Sequence, residues 1–147
     1  MKPHAPNLPL PRARRLAAVG RVPREVFELL AASDIPLKAY ELLWRLQNQR
    51  AQSAPPTTVY RAVAILLQAG LIHKIEGPGS YVVCTGPEED HEPVFLLCEQ
   101  CHKAVETIAA ATEKQIDTAI ADAGFRAHRR DLVIRGICQM CGEQGIG

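Results

Sequence analysis

The sequence is poor in aromatic residues, 5% of 147 with a single tryptophan, so any core must be built from aliphatic side chains. It lacks a long apolar run. The longest unbroken one is Ala62 to Leu67, far short of the roughly 18 residues that a membrane span needs. An apolar leader is also missing: Met1 to Pro11 hold four prolines instead, so no secretory signal is read there and a cytoplasmic location is expected. Strong net charge is absent too, the total being +1. What remains is ordinary globular composition, 47% hydrophobic and 22% charged, in a length that fits one domain or two small ones. Two modules of about 70 residues each would be small enough to benefit from a metal or a partner.

The near-zero total conceals a division. Residues 1–84 carry 11 Lys and Arg against 5 Asp and Glu, a net of +6, whereas residues 85–147 carry 6 against 11, a net of −5. A basic module for a polyanion joined to an acidic module with another task accounts for this asymmetry.

Helical spacing of Val26, Phe27 and Leu30 predicts a first helix over about Arg24 to Ala32, with Pro23 suited to its first turn. Ala39, Leu42, Leu43 and Leu46 predict a second over about Leu37 to Gln49. A third, capped by Thr57 or Thr58, presents Val59, Ala62, Val63, Leu66 and Leu67 on one face and ends near Gly70. Strands Leu71 to Ile75 and Tyr81 to Cys84 then flank Gly77-Pro78-Gly79-Ser80, a hairpin signal. Three helices and a hairpin follow one another in the order of a winged helix. Gly86-Pro87-Glu88-Glu89-Asp90 is a polar hinge at the point where the charge changes sign. Beyond it the pattern predicts a strand from Val94 to Cys98, a helix from about Thr107 to Ala123 bearing Ile108, Ala111, Ile116, Ala119 and Ile120, and a strand from Phe125 to Cys138. The expected organisation is α+β: a disordered arm over residues 1–11, a winged-helix domain over 12–84, a hinge over 85–92, and a small α/β domain over 93–147.

Four of the five cysteines form two Cys-x2-Cys pairs, Cys98/Cys101 and Cys138/Cys141. Two residues between thiolates let one tight turn aim both sulfurs at one ion, and two such turns supply the four soft ligands of a closed tetrahedral zinc site. Disulfides are disfavoured in a reducing compartment, and a thioredoxin-like role needs a βαβ frame that is missing here. A closed site leaves no position for catalysis. The His-x-Glu and Pro-Cys-x2-Cys arrangement of a zinc deaminase is also absent, so no enzyme and no small-molecule substrate are expected. The fifth cysteine, Cys84, ends the second wing strand near His73 on the first, with His91 on the hinge and Glu106 five residues past Cys101. Imidazole, thiolate and carboxylate together can make a mixed zinc site. A strand histidine, a core thiol and two solvated surface groups account for the same residues.

Pro55-Pro56-Thr57-Thr58-Val59-Tyr60-Arg61 opens the third helix. Threonine hydroxyls and free N–H groups there suit a phosphate. Tyr60 and Arg61 fall off the apolar stripe, where arginine can donate to guanine O6 and N7 and tyrosine can meet a thymine methyl; an amphipathic helix with a merely wetted polar side is the plainer alternative. Together with Gly70-Leu71-Ile72-His73-Lys74, Ser80-Tyr81-Val82-Val83-Cys84 and the cysteine pairs, Thr58-Val59-Tyr60-Arg61-Ala62 makes residues 20–142 resemble the Fur family of metal-responsive transcriptional repressors, most closely its zinc uptake regulator branch. The resemblance implies a homodimer that binds double-stranded operator DNA when loaded with zinc, with two ions per protomer. It implies a structural zinc on Cys98, Cys101, Cys138 and Cys141, a regulatory zinc on His73, Cys84, His91 and Glu106, and DNA contacts from Tyr40 and Arg61, with Tyr60 beside them. The target promoters would control zinc import.

The sequence departs from the family pattern in four places. Where the family often carries a histidine-rich segment near the hinge, this chain has only His91. His102 stands where glycine is common after Cys101, which makes it the alternative to His91 as a ligand. Arg129-Arg130-Asp131 replaces a histidine-bearing stretch on the last strand, so no third metal site is expected. Val22-Pro23-Arg24-Glu25 replaces a Thr-Pro-Gln-Arg opening. Three rival readings are an iron- or peroxide-responsive member of the same family, a structural-zinc interaction module without DNA binding, and a zinc hydrolase.

Overall fold

Val26, Leu29 and Leu30 fall on one side of a helical repeat, and that side is buried in α2, Arg21–Ala31. The computed structural model describes residues 11–49, 54–85, 93–107 and 110–144. Before α2 stands a short helix absent from the sequence reading, α1 (Arg12–Ala18), whose Leu16 packs at the edge of the same core. Next comes β1 (Leu37–Lys38), where the sequence pattern predicts the start of a helix. The helix itself, α3, covers Ala39–Gln49. Helix α4 runs over Pro56–Gln68.

Neither Thr57 nor Thr58 caps α4. The cap position belongs to Pro55, and both threonines lie inside the first turn. Pro56 accounts for the earlier start, because its fixed φ suits a first helical residue whose N–H would in any case be unpaired. At the other end Gly70 adopts φ +70°. The N–H of Gly70 reaches the Leu67 carbonyl and that of Leu71 the Leu66 carbonyl, each at 3.0 Å, a Schellman ending that favours glycine. Val59, Ala62, Val63 and Leu66 are buried as expected, while Leu67 stays at the rim with 36% exposure.

The wing is formed by β2 (Ile72–Ile75) and β3 (Ser80–Val83), antiparallel with Ile75 opposite Ser80. Strand β1 pairs with the far edge of β3, giving the order β1-β3-β2. This first lobe closes its core with Leu37, Leu42, Leu46, Leu71, Ile72 and Tyr81. It is the expected winged helix.

The second lobe holds β4 (Val94–Cys98), β5 (Ala104–Thr107), α5 (Ala110–Asp122), β6 (Leu132–Gly136) and α6 (Gln139–Glu143). Its sheet order is β5-β4-β6, with β4 antiparallel to β5 and parallel to β6. A parallel pair needs a crossover, and β5 with α5 supplies it, so the second lobe does hold a βαβ arrangement, which the sequence pattern does not reveal because β5 carries no apolar signature. Thr107 therefore ends a strand and does not begin the helix. Strand β6 covers only five residues of the expected Phe125 to Cys138 because it pairs residue for residue with β4, Val94↔Leu132 through Cys98↔Gly136. The side chain of Ala111 and all of Ile108 lie outside the described residues, and the described side chains of α5 are half-buried or exposed. The arm over 1–10 and the hinge residues 86–92, including His91, also lie outside them.

Candidate metal centres and nucleic-acid face

The first Cys-x2-Cys turn follows β4 directly. The N–H of His102 returns to the Cys98 carbonyl at 3.0 Å, and His102 takes φ +65° to close the loop. The second pair brackets the start of α6, with Cys138 at its cap position and Cys141 buried within it. Because β6 lies beside β4, the two turns meet. All four sulfurs lie within 4.8 Å of one another, with Cys101 and Cys138 Sγ 3.8 Å apart. Disulfide sulfurs stand at about 2.05 Å, so these thiols are free. A tetrahedron with metal–sulfur bonds of about 2.3 Å has edges of about 3.8 Å, the separation found between Cys101 and Cys138.

The turns also prepare the charge. Backbone N–H groups of Cys101 and Cys138 point at Cys98 Sγ from 3.5 and 3.4 Å. These hydrogen bonds lower the Cys98 pKa to about 6. Cys141, hydrogen-bonded to Cys138 and buried, is pushed up to about 12. One thiolate forms readily while its crowded neighbour resists, so a full set of thiolates calls for a cation among them.

A second cluster joins the lobes. The wing register sets Ile72 opposite Val83, and the Cys84 N–H continues that pairing to the Leu71 carbonyl at 3.0 Å. His73 and Cys84 therefore lie next to each other. From the second lobe, β5 brings Glu106 to them, and the three ligand atoms fall within 4.8 Å. Glu106 Oε2 lies 3.4 Å from His73 Nε2 and 4.0 Å from Cys84 Sγ. Its other oxygen accepts the Thr85 N–H at 2.9 Å. The Phe95 ring stands edge-on to His73 at 5.8 Å. Burial disfavours the charged imidazole, but hydrogen bonds with Cys84 and Glu106 and their negative charge outweigh it and raise the His73 pKa to about 9. Nitrogen, sulfur and oxygen donors converge here, a donor set that fits a borderline-soft divalent cation.

On the first lobe Tyr40 and Tyr60 are 66% and 59% exposed. Thr57 and Arg61 are exposed as well, and Thr58 is half-buried. Trp44, one helical turn after Tyr40 on α3, is as open as Tyr40. No motif in the sequence marks Trp44, and its spacing from Tyr40 is the signal available for it.

A model of the ferric uptake regulator family matches residues 21–135. The chain belongs to this family. It is 34% identical over 120 residues to the zinc uptake regulation protein of Escherichia coli (strain K12), across 81% of this chain and 70% of that protein, and equally so to the protein of the same name from Shigella flexneri. A solved zinc uptake regulator complexed with zinc and DNA superposes with a TM-score of 0.81 at 32% identity, covering 92% of this chain and 90% of that one. Holo XcZur superposes at 0.76 with 29% identity, covering 90% and 99%. The Helicobacter pylori ferric uptake regulator Fur, at 15% identity and a TM-score of 0.59 over 90% of this chain and 95% of that one, shares the fold.

Within this family fold, several residues at the second cluster had no signature in the sequence. Thr85 supplies a backbone donor and Phe95 a ring wall. Arg12, on α1, directs its guanidinium to Cys84 Sγ at 3.5 Å. Seventy-two positions separate that pair, and no local periodicity could connect them. Exposed His102 lines the side of the lobe near Cys98 and belongs to neither ligand group. Among the described residues, no helix is long and apolar enough to cross a membrane.

Proposed function

We propose that this member of the ferric uptake regulator family is a zinc-responsive transcriptional repressor that acts in the cytoplasm as a homodimer on operator DNA, controls zinc import, and is not an enzyme. Each protomer takes two zinc ions. Cys98, Cys101, Cys138 and Cys141 hold one permanently, tying the β4 turn to α6 so that the small second lobe stays folded. His73, Cys84 and Glu106, with His91 completing the set, hold the other only when zinc is plentiful. The ion supplies a divalent charge that lets imidazole, thiolate and carboxylate share one point. The thiolate in that set favours zinc over iron(II) or manganese.

The observation that carries this reading is that two ligands of the second cluster come from the wing and one from the second lobe. Bringing them together fixes the wing, and with it α4, against the lobe through which two protomers pair. Leu96 lies opposite both Val105 and Ile134 in the sheet register, and all three are exposed. That row of apolar side chains across β5-β4-β6 supports the sheet as the dimer face. A fixed pose sets the spacing of two recognition helices to successive major-groove half-sites, where Arg61, Tyr60 and Tyr40 meet base edges and Thr57 and Thr58 meet phosphate. Zinc and operator favour the same pose, so each raises affinity for the other.

Cys84→Ser tests the division of labour. The variant should fold, dimerise and keep one zinc per protomer, yet show no zinc-stimulated operator binding by gel shift or anisotropy. Unfolding, or undiminished stimulation, would contradict it.

A further inference from the structure

Helix α1 carries two arginines on one side, at the i and i+3 positions that neighbour each other on a helix. Arg12 Nη2 donates to Cys84 Sγ at 3.5 Å. Arg15 Nη1 donates to the Ala69 carbonyl at 2.6 Å, at the C-terminal end of α4, where unpaired carbonyls concentrate negative potential. Gly70 permits that approach: a Cβ there would come within 3.1 Å of Arg15 Nη1. From the other side Arg24 Nη1 binds the Ala17 carbonyl at 3.1 Å. One short helix thus touches a metal-ligand sulfur at one residue and the end of the recognition helix three residues later.

We infer that α1 is a physical link between the sensing cluster and the recognition helix, with Arg12 a positioning residue for Cys84 and Arg15 the tether to α4. A guanidinium hydrogen bond to a thiolate is charge-assisted. It holds the Cys84 sulfur beside His73 and Glu106, as a shared metal requires, and would offset part of the negative charge that Cys84 takes on when a metal displaces its proton. When Cys84 is fixed, Arg12 is fixed, and α1 then holds the end of α4 through Arg15. Outer partners of this kind typically govern metal affinity by about 10–100-fold. The inference rests on the assignment of a metal to His73, Cys84 and Glu106.

The test uses full-length protein with zinc retained in the cysteine quartet and the second site emptied by mild chelation. Cobalt(II) added to this protein should give a thiolate charge-transfer band that Cys84→Ser removes. Arg12→Ala should lower zinc affinity about 10–100-fold and leave α1 amides unprotected from hydrogen exchange even with zinc present. Arg12→Lys should recover part of that affinity through its retained charge. Arg15→Ala should keep the cobalt band but lose about tenfold or more of the zinc-driven gain in operator affinity. If the wild-type band appears while Arg12→Ala binds zinc normally, or Arg15→Ala keeps the full gain, the link is refuted and the metal assignment stands. Were the wild-type band absent, both would fall together.

Discussion

At the scale of single residues, His73 reports on the proposed sensing cluster before any metal binds. Its folded pKa of about 9 lies above the ordinary 6.5. A raised pKa means that the protonated ring stabilises the fold fully below about pH 6.5, and that this contribution is lost as pH rises through about 9. Protein chelated at the second site should therefore lose melting temperature over that window by calorimetry, and His73→Gln should not. Zinc needs the neutral ring, so its apparent affinity should climb over the same window. Arg61 tests the nucleic-acid face. Arg61→Ala should cost about 1–3 kcal/mol on operator and relax base preference; equal losses on operator and random DNA would make it a phosphate contact instead. Residue chemistry of this sort was partly legible in the sequence. Paired Cys-x2-Cys spacing is local, and the four sulfurs meet as it predicts. Arg12, Thr85 and Phe95 were not legible, because each reaches the cluster through tertiary packing.

At the scale of elements, periodicity succeeded where an element has its own apolar face and failed where a neighbour defines it. Helices α2, α3 and α4 bury aliphatic stripes, and their existence was readable. Strand β5 has no such signature. Ala104 to Thr107 is a strand because β4 lies beside it, and the length of β6 is likewise set by β4. Helix α1 is too short to announce itself, and the Arg12 and Arg15 contacts give it a place. An ion pair also joins the lobes: Arg129 Nη2 lies 2.9 Å from Glu76 Oε1, with side chains 67% and 34% exposed. Exposed pairs contribute about 0–1 kcal/mol. Glu76→Gln should therefore change operator affinity, with and without zinc, by less than about fivefold. A larger loss would transfer the role of joining the lobes from the metal cluster to this ion pair.

At the scale of the whole molecule, the charge division coincides with the division of labour. The net +6 of residues 1–84 covers the winged helix, and the net −5 of residues 85–147 covers the lobe with the cysteine quartet. Positive charge on the reading lobe favours approach to DNA, and an acidic second lobe discourages binding in any other orientation. Two ligand groups then serve two scales. The quartet lies wholly within one lobe, and its loss should unfold that lobe. The His73, Cys84 and Glu106 group spans both lobes, and its loss should free their relative pose without unfolding either. The most direct measurement is therefore the number of zinc ions per protomer, counted before and after mild chelation on samples whose operator binding is measured in parallel. Two ions falling to one as binding vanishes, with dimer and melting transition retained, is the predicted result. Full operator binding by protein that holds a single zinc would contradict the account.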